Sequence, residues 1–524
     1  MDRTISLHIV DYAIIIATFV VSIVVGLRFS KNQKDTGNYF KAGGKIPSWA
    51  IGMSILATLI SSVTFLAYPG EGYSSNWIRL VQGLMVPLVL VFIVGIIVPL
   101  FRKVIRLSAY EYFERRFGFL ARLYASLGFV LNHFAKMGTV FYIISLALSG
   151  MTGVDTVYIV LIIGIVVVLI TMLGGMEAVI WLDVIQGFML IAGGLVSLGI
   201  LLFSVEGGPG AIWQVAMENG RIGFGPFDLE FVNLTFWVMA LNGIFYAIQK
   251  YGTDQTIIQR YLTAKSDKEA IKASLIGVLL SVPVWALFMF IGTALFAYYK
   301  ITGSPLPADI KPEEVFPIFI TTKLPVGVIG LILSALIAAA FSSLDSDLNC
   351  LSAICLEDYY LRWRPNTSEK KQMFLSRMFI VLAGVGAIAV AMFYIHAGGT
   401  GVLGIIFTLY SIFSGGIAGM FLLGIFSRRV NKKAIYFGIL ASILFTLYAL
   451  LSSTPMTFGD TKILLLDLGN LNFNQHKYMI GVYSHLVLMF VGIVASYIFK
   501  EKPVDETLTY YGWLKLKREN KIRN

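Results

Sequence analysis

Ala57-Thr58-Leu59-Ile60-Ser61-Ser62-Val63-Thr64, followed by Pro69-Gly70-Glu71-Gly72, interrupts an apolar stretch that runs from 47 to 72. Four hydroxyl side chains sit there beside helix-weakening Pro and Gly. In hydrocarbon, backbone groups freed by such a break are costly unless they line a cavity and face a ligand. A second stretch, 231–262, carries the same kind of interruption in Gln249-Lys250-Tyr251-Gly252-Thr253-Asp254-Gln255. Both are expected to be bent membrane helices with a site at the bend.

The rest of the chain supports that setting. Of 524 residues 57% are hydrophobic and only 14% charged, with a mean hydropathy of +0.79. A soluble chain carries roughly a quarter of its residues charged, so soluble, disordered, collagenous and nucleic-acid-binding classes are excluded. Cys350 and Cys355 are too few for a disulfide framework or a metal site and are expected to pack. A ruler of ~20 apolar residues per crossing predicts an all-α integral membrane protein with thirteen spans. They run 7–29, 47–72, 77–101, 120–149, 155–176, 183–205, 231–262, 270–299, 325–349, 372–396, 400–426, 432–453 and 477–499.

No connecting loop has room for a soluble catalytic or receptor domain. The first span lacks a basic leader and a cleavage site, so it is expected to be retained. Loops 28–46, 102–122, 260–272, 350–377, 427–433 and 500–524 hold 31 of the 41 Lys and Arg residues. By the positive-inside rule these loops are cytoplasmic. The N-terminus is then outside and the C-terminus inside.

The two interrupted stretches lie five spans apart. Because five is odd, the second five-helix unit enters the membrane inverted, an arrangement of secondary transporters with a midplane site at broken helices. Two unrelated amphipathic helices facing a polar interior are the alternative. The predicted units are 1–46 (an extra helix and first loop), 47–230 and 231–426 (the inverted repeats) and 427–524 (two helices and a basic tail).

Span nine adds Ser342, Asp345, Ser346 and Asn349 at i, i+3, i+4, i+7, which share one helix face. That face offers oxygen, the ligand of hard cations, and it lacks the Cys or His group that zinc or iron prefer. A small monovalent cation fits; interhelical hydrogen bonding by Ser is the alternative. The neighbouring Ala338-Ala339-Ala340 allows close backbone approach. Asp183, in Trp181-Leu182-Asp183-Val184-Ile185-Gln186-Gly187, either ends a second cation path or caps a helix. Asp345 and Asp347 are two apart and so face different sides, which argues against an intramembrane aspartyl enzyme.

Several motifs occur together in order. They are Asn38-Tyr39-Phe40-Lys41-Ala42-Gly43-Gly44, Ser108-Ala109-Tyr110-Glu111-Tyr112, Gly174-Gly175-Met176-Glu177 through Gln186-Gly187, Asp254-Gln255 through Gln259-Arg260-Tyr261, and the span-nine cluster. On these the chain resembles the sodium:solute symporter family, whose members carry sugars, sialic acids, monocarboxylates, vitamins and iodide.

The resemblance implies a leucine-transporter-type fold and a sodium-coupled symporter, not an enzyme. It implies a first sodium site at Ala57, Ile60, Ala339, Ser342 and Ser343, and a second at Asp183, Ser342, Asp345 and Ser346. Asp345 departs from the serine of sialic acid carriers. The implied substrate pocket draws on Ser61, Thr64, Gln82, Lys136, Gln249 and Lys250.

Sialic acid carriers have arginine near the Lys136 position and threonine at that of Leu59. Lysine is a point charge rather than a bidentate fork, so a carboxylate could still be held with less geometric selection, and sialic acid itself is discounted; a sugar or sugar-like solute is expected. A monocarboxylate or sialic-acid-like anion, or proton coupling, is the alternative. For Lys250 the competing reading is an i, i+4 pair with Asp254; for Lys136, a snorkel toward the cytoplasm. His133 is expected to be a packed polar residue. The partners are a small solute, sodium ions and the lipid bilayer, with no nucleic acid. A monomer in a cell membrane is the expected functional unit.

Overall fold

The computed structural model describes residues 7–30, 35–307, 310–396, 415–458, 461–500 and 505–519. It is helical apart from a small antiparallel ribbon, β1 (Met456–Phe458) with β2 (Thr461–Ile463). In chain order the helices are α1 (Ile9–Ser30), α2 (Thr36–Lys41), α3 (Ser48–Leu59), α4 (Ser62–Ser74), α5 (Leu80–Val104), α6 (Glu111–Phe117), α7 (Phe119–Thr152), α8 (Thr156–Phe203), α9 (Gly208–Glu218) and α10 (Phe236–Gly252). There follow α11 (Gln255–Thr263), α12 (Asp267–Thr302), α13 (Pro312–Lys323), α14 (Val328–Ile354), α15 (Leu361–Trp363), α16 (Glu369–His396), α17 (Ile417–Phe426), α18 (Lys432–Ser453), α19 (Lys477–Ile498) and α20 (Tyr510–Arg518). Among the described residues nine helices are long and apolar enough to cross a membrane, and the bent α3–α4 pair makes a tenth.

Burial sorts these helices. The apolar window of α14 is 89% buried against 17% for α1, which puts α14 at the centre and α1 at the rim. Ile16, Val20, Val24 and Leu27 of α1 are exposed, as expected of a face meeting acyl chains. Around α14 pack α8, α1, α7, α16 and α3.

Two predicted spans, 155–176 and 183–205, follow one another within α8 as two helices joined at a kink. The 48 residues of α8 would reach about 72 Å if straight, more than twice a ~30 Å hydrocarbon core. The break is at Gly175, with φ 59° and ψ −162°, backbone angles open to glycine alone. Asp183 therefore stands inside a helix and is fully buried, so it caps nothing. Residues 231–235 precede α10 rather than belonging to it. Of the expected span 400–426, residues 400–414 lie outside the described residues and α17 forms its end.

Both interrupted stretches are broken. Between α3 and α4 the axis turns by 59° through extended backbone at Ile60 and Ser61. Between α10 and α11 the chain leaves helical geometry at Thr253 and Asp254, and the Asp254 carboxylate caps the Thr256 amide at 2.8 Å.

The half-helix α4 is fixed to α12 by backbone contact. A Cβ at Gly72 would lie 2.1 Å from the Met289 carbonyl oxygen, and one at Gly292 2.0 Å from that of Pro69. No side chain can yield there, so Gly292→Ala is expected to cost about 1–3 kcal/mol by overpacking. A drop in the thermal midpoint of purified protein checks this; an unchanged midpoint would mean that α4 and α12 are further apart.

Candidate functional site

The break after Leu59 creates the first cluster. With α3 ended, the Ala57 carbonyl takes its hydrogen bond from Ser342 Oγ on α14, at 2.9 Å. The same hydroxyl lies 3.2 Å from the Ala339 carbonyl. One hydroxyl has one proton, so it satisfies one of these carbonyls at a time. Ser343 Oγ, on the next residue of α14, is buried with no partner, and Ile60 is fully buried at the turn. Of the five residues predicted for the first sodium site, Ala57, Ala339 and Ser342 are thus joined through one hydroxyl, and Ser343 offers a hydroxyl without a partner. Oxygen ligands of this kind are what a dehydrated hard cation takes.

The second cluster contains a residue to which the sequence reading gave no role. Arg260 of α11 is 0% exposed. Its Nη2 donates to Asp183 Oδ2 at 2.8 Å and to Ser346 Oγ at 2.7 Å, its Nε to Ser54 Oγ at 2.7 Å, and its Nη1 to the Thr256 carbonyl at 2.6 Å. Ser54 Oγ donates in turn to Asp183 Oδ2 at 2.5 Å. A fixed guanidinium therefore stands among the residues predicted for the second sodium.

Asp183 Oδ1 keeps no partner. Asp345 is 2% exposed, with a long 3.4 Å contact from Ser346 Oγ as its side-chain hydrogen bond. It forms no ion pair among the described residues. Arg260 compensates Asp183, so one carboxylate of this cluster is left over. The place of Arg260 in the basic loop count hides it; the signal is a charge inside the interrupted stretch 231–262.

The predicted substrate residues fall into three sets. Ser61 and Thr64, 9% and 5% exposed, open α4, and Ser61 does not cap the helix although it stands at the N-cap. Gln82 of α5 accepts from Asn242 of α10 at 3.1 Å, and Asn242 was not anticipated. Gln249 lies on α10 next to the third set, which is charged.

Lys250 Nζ donates to Asp254 Oδ2 at 2.7 Å and to Thr256 at 3.1 Å, the i, i+4 pairing weighed for it. Lys136 Nζ of α7 lies 3.0 Å from both carboxylate oxygens of Asp347 on α14 instead of snorkelling to the cytoplasm. Between the pairs, His133 stacks on Phe129 with ring centroids 3.6 Å apart. Its Nδ1 faces the Phe129 carbonyl at 2.9 Å, and its Nε2 lies 3.6 Å from Asp347 and 3.7 Å from Asp254.

Broken helices that present oxygen around a membrane-embedded cluster define an ion-coupled secondary transporter. The sodium:solute symporter family matches residues 39–442, and the chain belongs to that family. It is 33% identical over 444 residues to the sodium/sialic acid symporter SiaT of Proteus mirabilis, covering 84% of this chain and 89% of that one. It is 30% identical over 484 residues to a sodium/glucose cotransporter of Vibrio parahaemolyticus, covering 87% and 88%.

A solved structure of a Na+-coupled sialic acid symporter, substrate-bound and outward-open, superposes with a TM-score of 0.85 at 30% identity, over 95% of this chain and 99% of that one. The protein is thus a multi-pass membrane symporter with sodium as its coupling ion and a small solute as its cargo, not an enzyme. Its fold is of the leucine-transporter type.

Proposed function

We propose that the protein imports a small neutral, sugar-like solute by sodium-driven alternating access. The observation that carries this reading is the oxygen-rich junction of Ala57, Ala339, Ser342 and Ser343 at the α3–α4 break. Sodium there pins the bent helix to α14 and completes the pocket at Ser61, Thr64, Gln82, Gln249 and the two lysines. An ion shifts a conformational equilibrium only by its differential affinity for the two states.

Neutral cargo is favoured because Lys136 and Lys250 are each held by a carboxylate, which leaves no surplus positive charge for an anion. The leftover Asp345 carboxylate favours a second ion at Asp183, Ser342, Asp345 and Ser346. Two sodium ions crossing ~100 mV release roughly 4.6 kcal/mol. A tenfold gradient adds about 2.8 kcal/mol for the pair.

The topology that supports this cycle has thirteen spans. The units 47–230 and 231–426 are inverted repeats, the N-terminus is outside and the C-terminus cytoplasmic, and the monomer is the working unit. A sialic-acid-like carrier is the second reading, favoured by the likeness to the Proteus symporter.

Uptake into proteoliposomes at fixed pH tests both. Replacing external sodium by choline is expected to abolish accumulation of a neutral monosaccharide. Undiminished uptake in choline refutes sodium coupling in favour of protons, whereas uptake of N-acetylneuraminate but not of neutral sugars selects the second reading.

A further inference from the structure

We infer that Asp347 sets the charge selectivity of the solute pocket by holding the Lys136 ammonium. This rests on the neutral-solute reading above. Asp347 is fully buried while the Lys136 side chain is 30% exposed, so of the two only the lysine opens onto space outside the packed helices, the space taken here as the solute pocket. The ammonium lies 3.0 Å from both carboxylate oxygens, a position that directs its charge inward, away from that space.

The surroundings offer no substitute. Lys250 is held by Asp254 at 2.7 Å, and His133, with Nδ1 turned to the Phe129 carbonyl, presents Nε2 between the two aspartates. Each ammonium has its carboxylate and each carboxylate its ammonium. A solute carboxylate that recruited Lys136 would strand Asp347 as an unpaired charge in a dry interior, which is strongly unfavourable. A neutral polyhydroxyl solute binds without breaking the pair. Asp347 thus acts on the cargo through Lys136 as a positioning residue.

The test compares kcat/KM for sodium-driven uptake of glucose and galactose with that of glucuronate and galacturonate, which differ from them by a carboxylate. In Asp347→Asn the ammonium is released. The acid-to-neutral ratio is expected to rise roughly 10- to 100-fold, the worth of one charge-assisted hydrogen bond. Asp347→Glu keeps the charge and is expected to keep the parent ratio. A ratio in Asp347→Asn within about twofold of the parent, with uptake still sodium-dependent, overturns the inference, since a factor of two is far below one such bond.

If Asp347→Asn does not reach the membrane folded, the doubly neutral Lys136→Gln/Asp347→Asn carries the test, because it strands no charge. Its ratio is expected to match the parent; a fall of about tenfold would mean that Lys136 already serves the cargo in the parent and overturns the inference. A parent that prefers the uronic acids refutes the neutral-solute reading instead, and it does so before any variant is made.

Discussion

Asp183→Asn is expected to destabilise the folded protein by about 3–5 kcal/mol, the cost of stranding one partner of a buried ion pair. Arg260 is 0% exposed and gives Asp183 a 2.8 Å hydrogen bond. Removing the negative charge leaves a buried guanidinium whose hydrogen-bond partners, Ser54, Ser346 and the Thr256 carbonyl, are all neutral, with Asp345 nearby but not hydrogen-bonded to it. The change is to be read as a lowered thermal midpoint and reduced monodisperse yield in detergent. Asp183→Asn/Arg260→Gln removes both members of the ion pair, and much of the loss is expected to return. Were the single variant as stable as the parent, Asp183 would be neutral in the folded protein and Arg260 would not depend on it. With the double variant in hand, sodium stoichiometry can be measured apart from folding, so the proposed role of Asp183 in binding the second ion can be tested separately.

Ser343→Ala is the second large effect. Ser343 Oγ is buried and gives the protein no hydrogen bond, so its removal breaks nothing in the fold, and its stability cost is expected to be small. An ion at the α3–α4 break would lose one of its oxygens. The half-saturating sodium concentration is expected to rise roughly 10- to 100-fold, as for loss of one interaction with a charged group. Sodium titration of uptake, or of sodium-induced thermal stabilisation, reads this directly. Sodium dependence equal to that of the parent would move the ion away from Ser343. Because Ser342 also bridges Ala57 and Ala339, Ser342→Ala mixes a folding defect with an ion defect and is the less informative variant.

The two bends were legible because polar runs with Gly or Pro contradict the hydrocarbon around them. The Ser342–Asn349 face was legible because helical spacing lines its oxygens up. The role of Arg260 was not, since composition alone places a basic residue after a span in the next loop. Only the turn at Thr253 and Asp254, which starts the short buried α11, carries it back inside.

Nor did periodicity reveal that Asp347, one position beyond the Asp345–Ser346 pair, reaches across to α7. That contact depends on where α7 lies beside α14, which a single helix's spacing does not encode. Residues 155–205 divide into two apolar stretches as expected, but the position of the kink depends on the backbone angles of one glycine, Gly175.

Lys136 and Asp347 are not the only tie between α7 and α14. Arg122, near the start of α7, holds Asp358 in the π-helical turn Cys355–Tyr360 that continues α14. The tie points are 14 residues apart along α7 and 11 along α14 and its extension, roughly 21 Å and 16 Å at helical rise. Two rungs so far apart resist sliding and twisting together, as a ladder resists shear where a single pin would not. During a transport cycle this pair would therefore travel as one strut. The movement that opens a path to either side of the bilayer falls to the partners that meet the strut through breakable contacts, the bent α3 and α11.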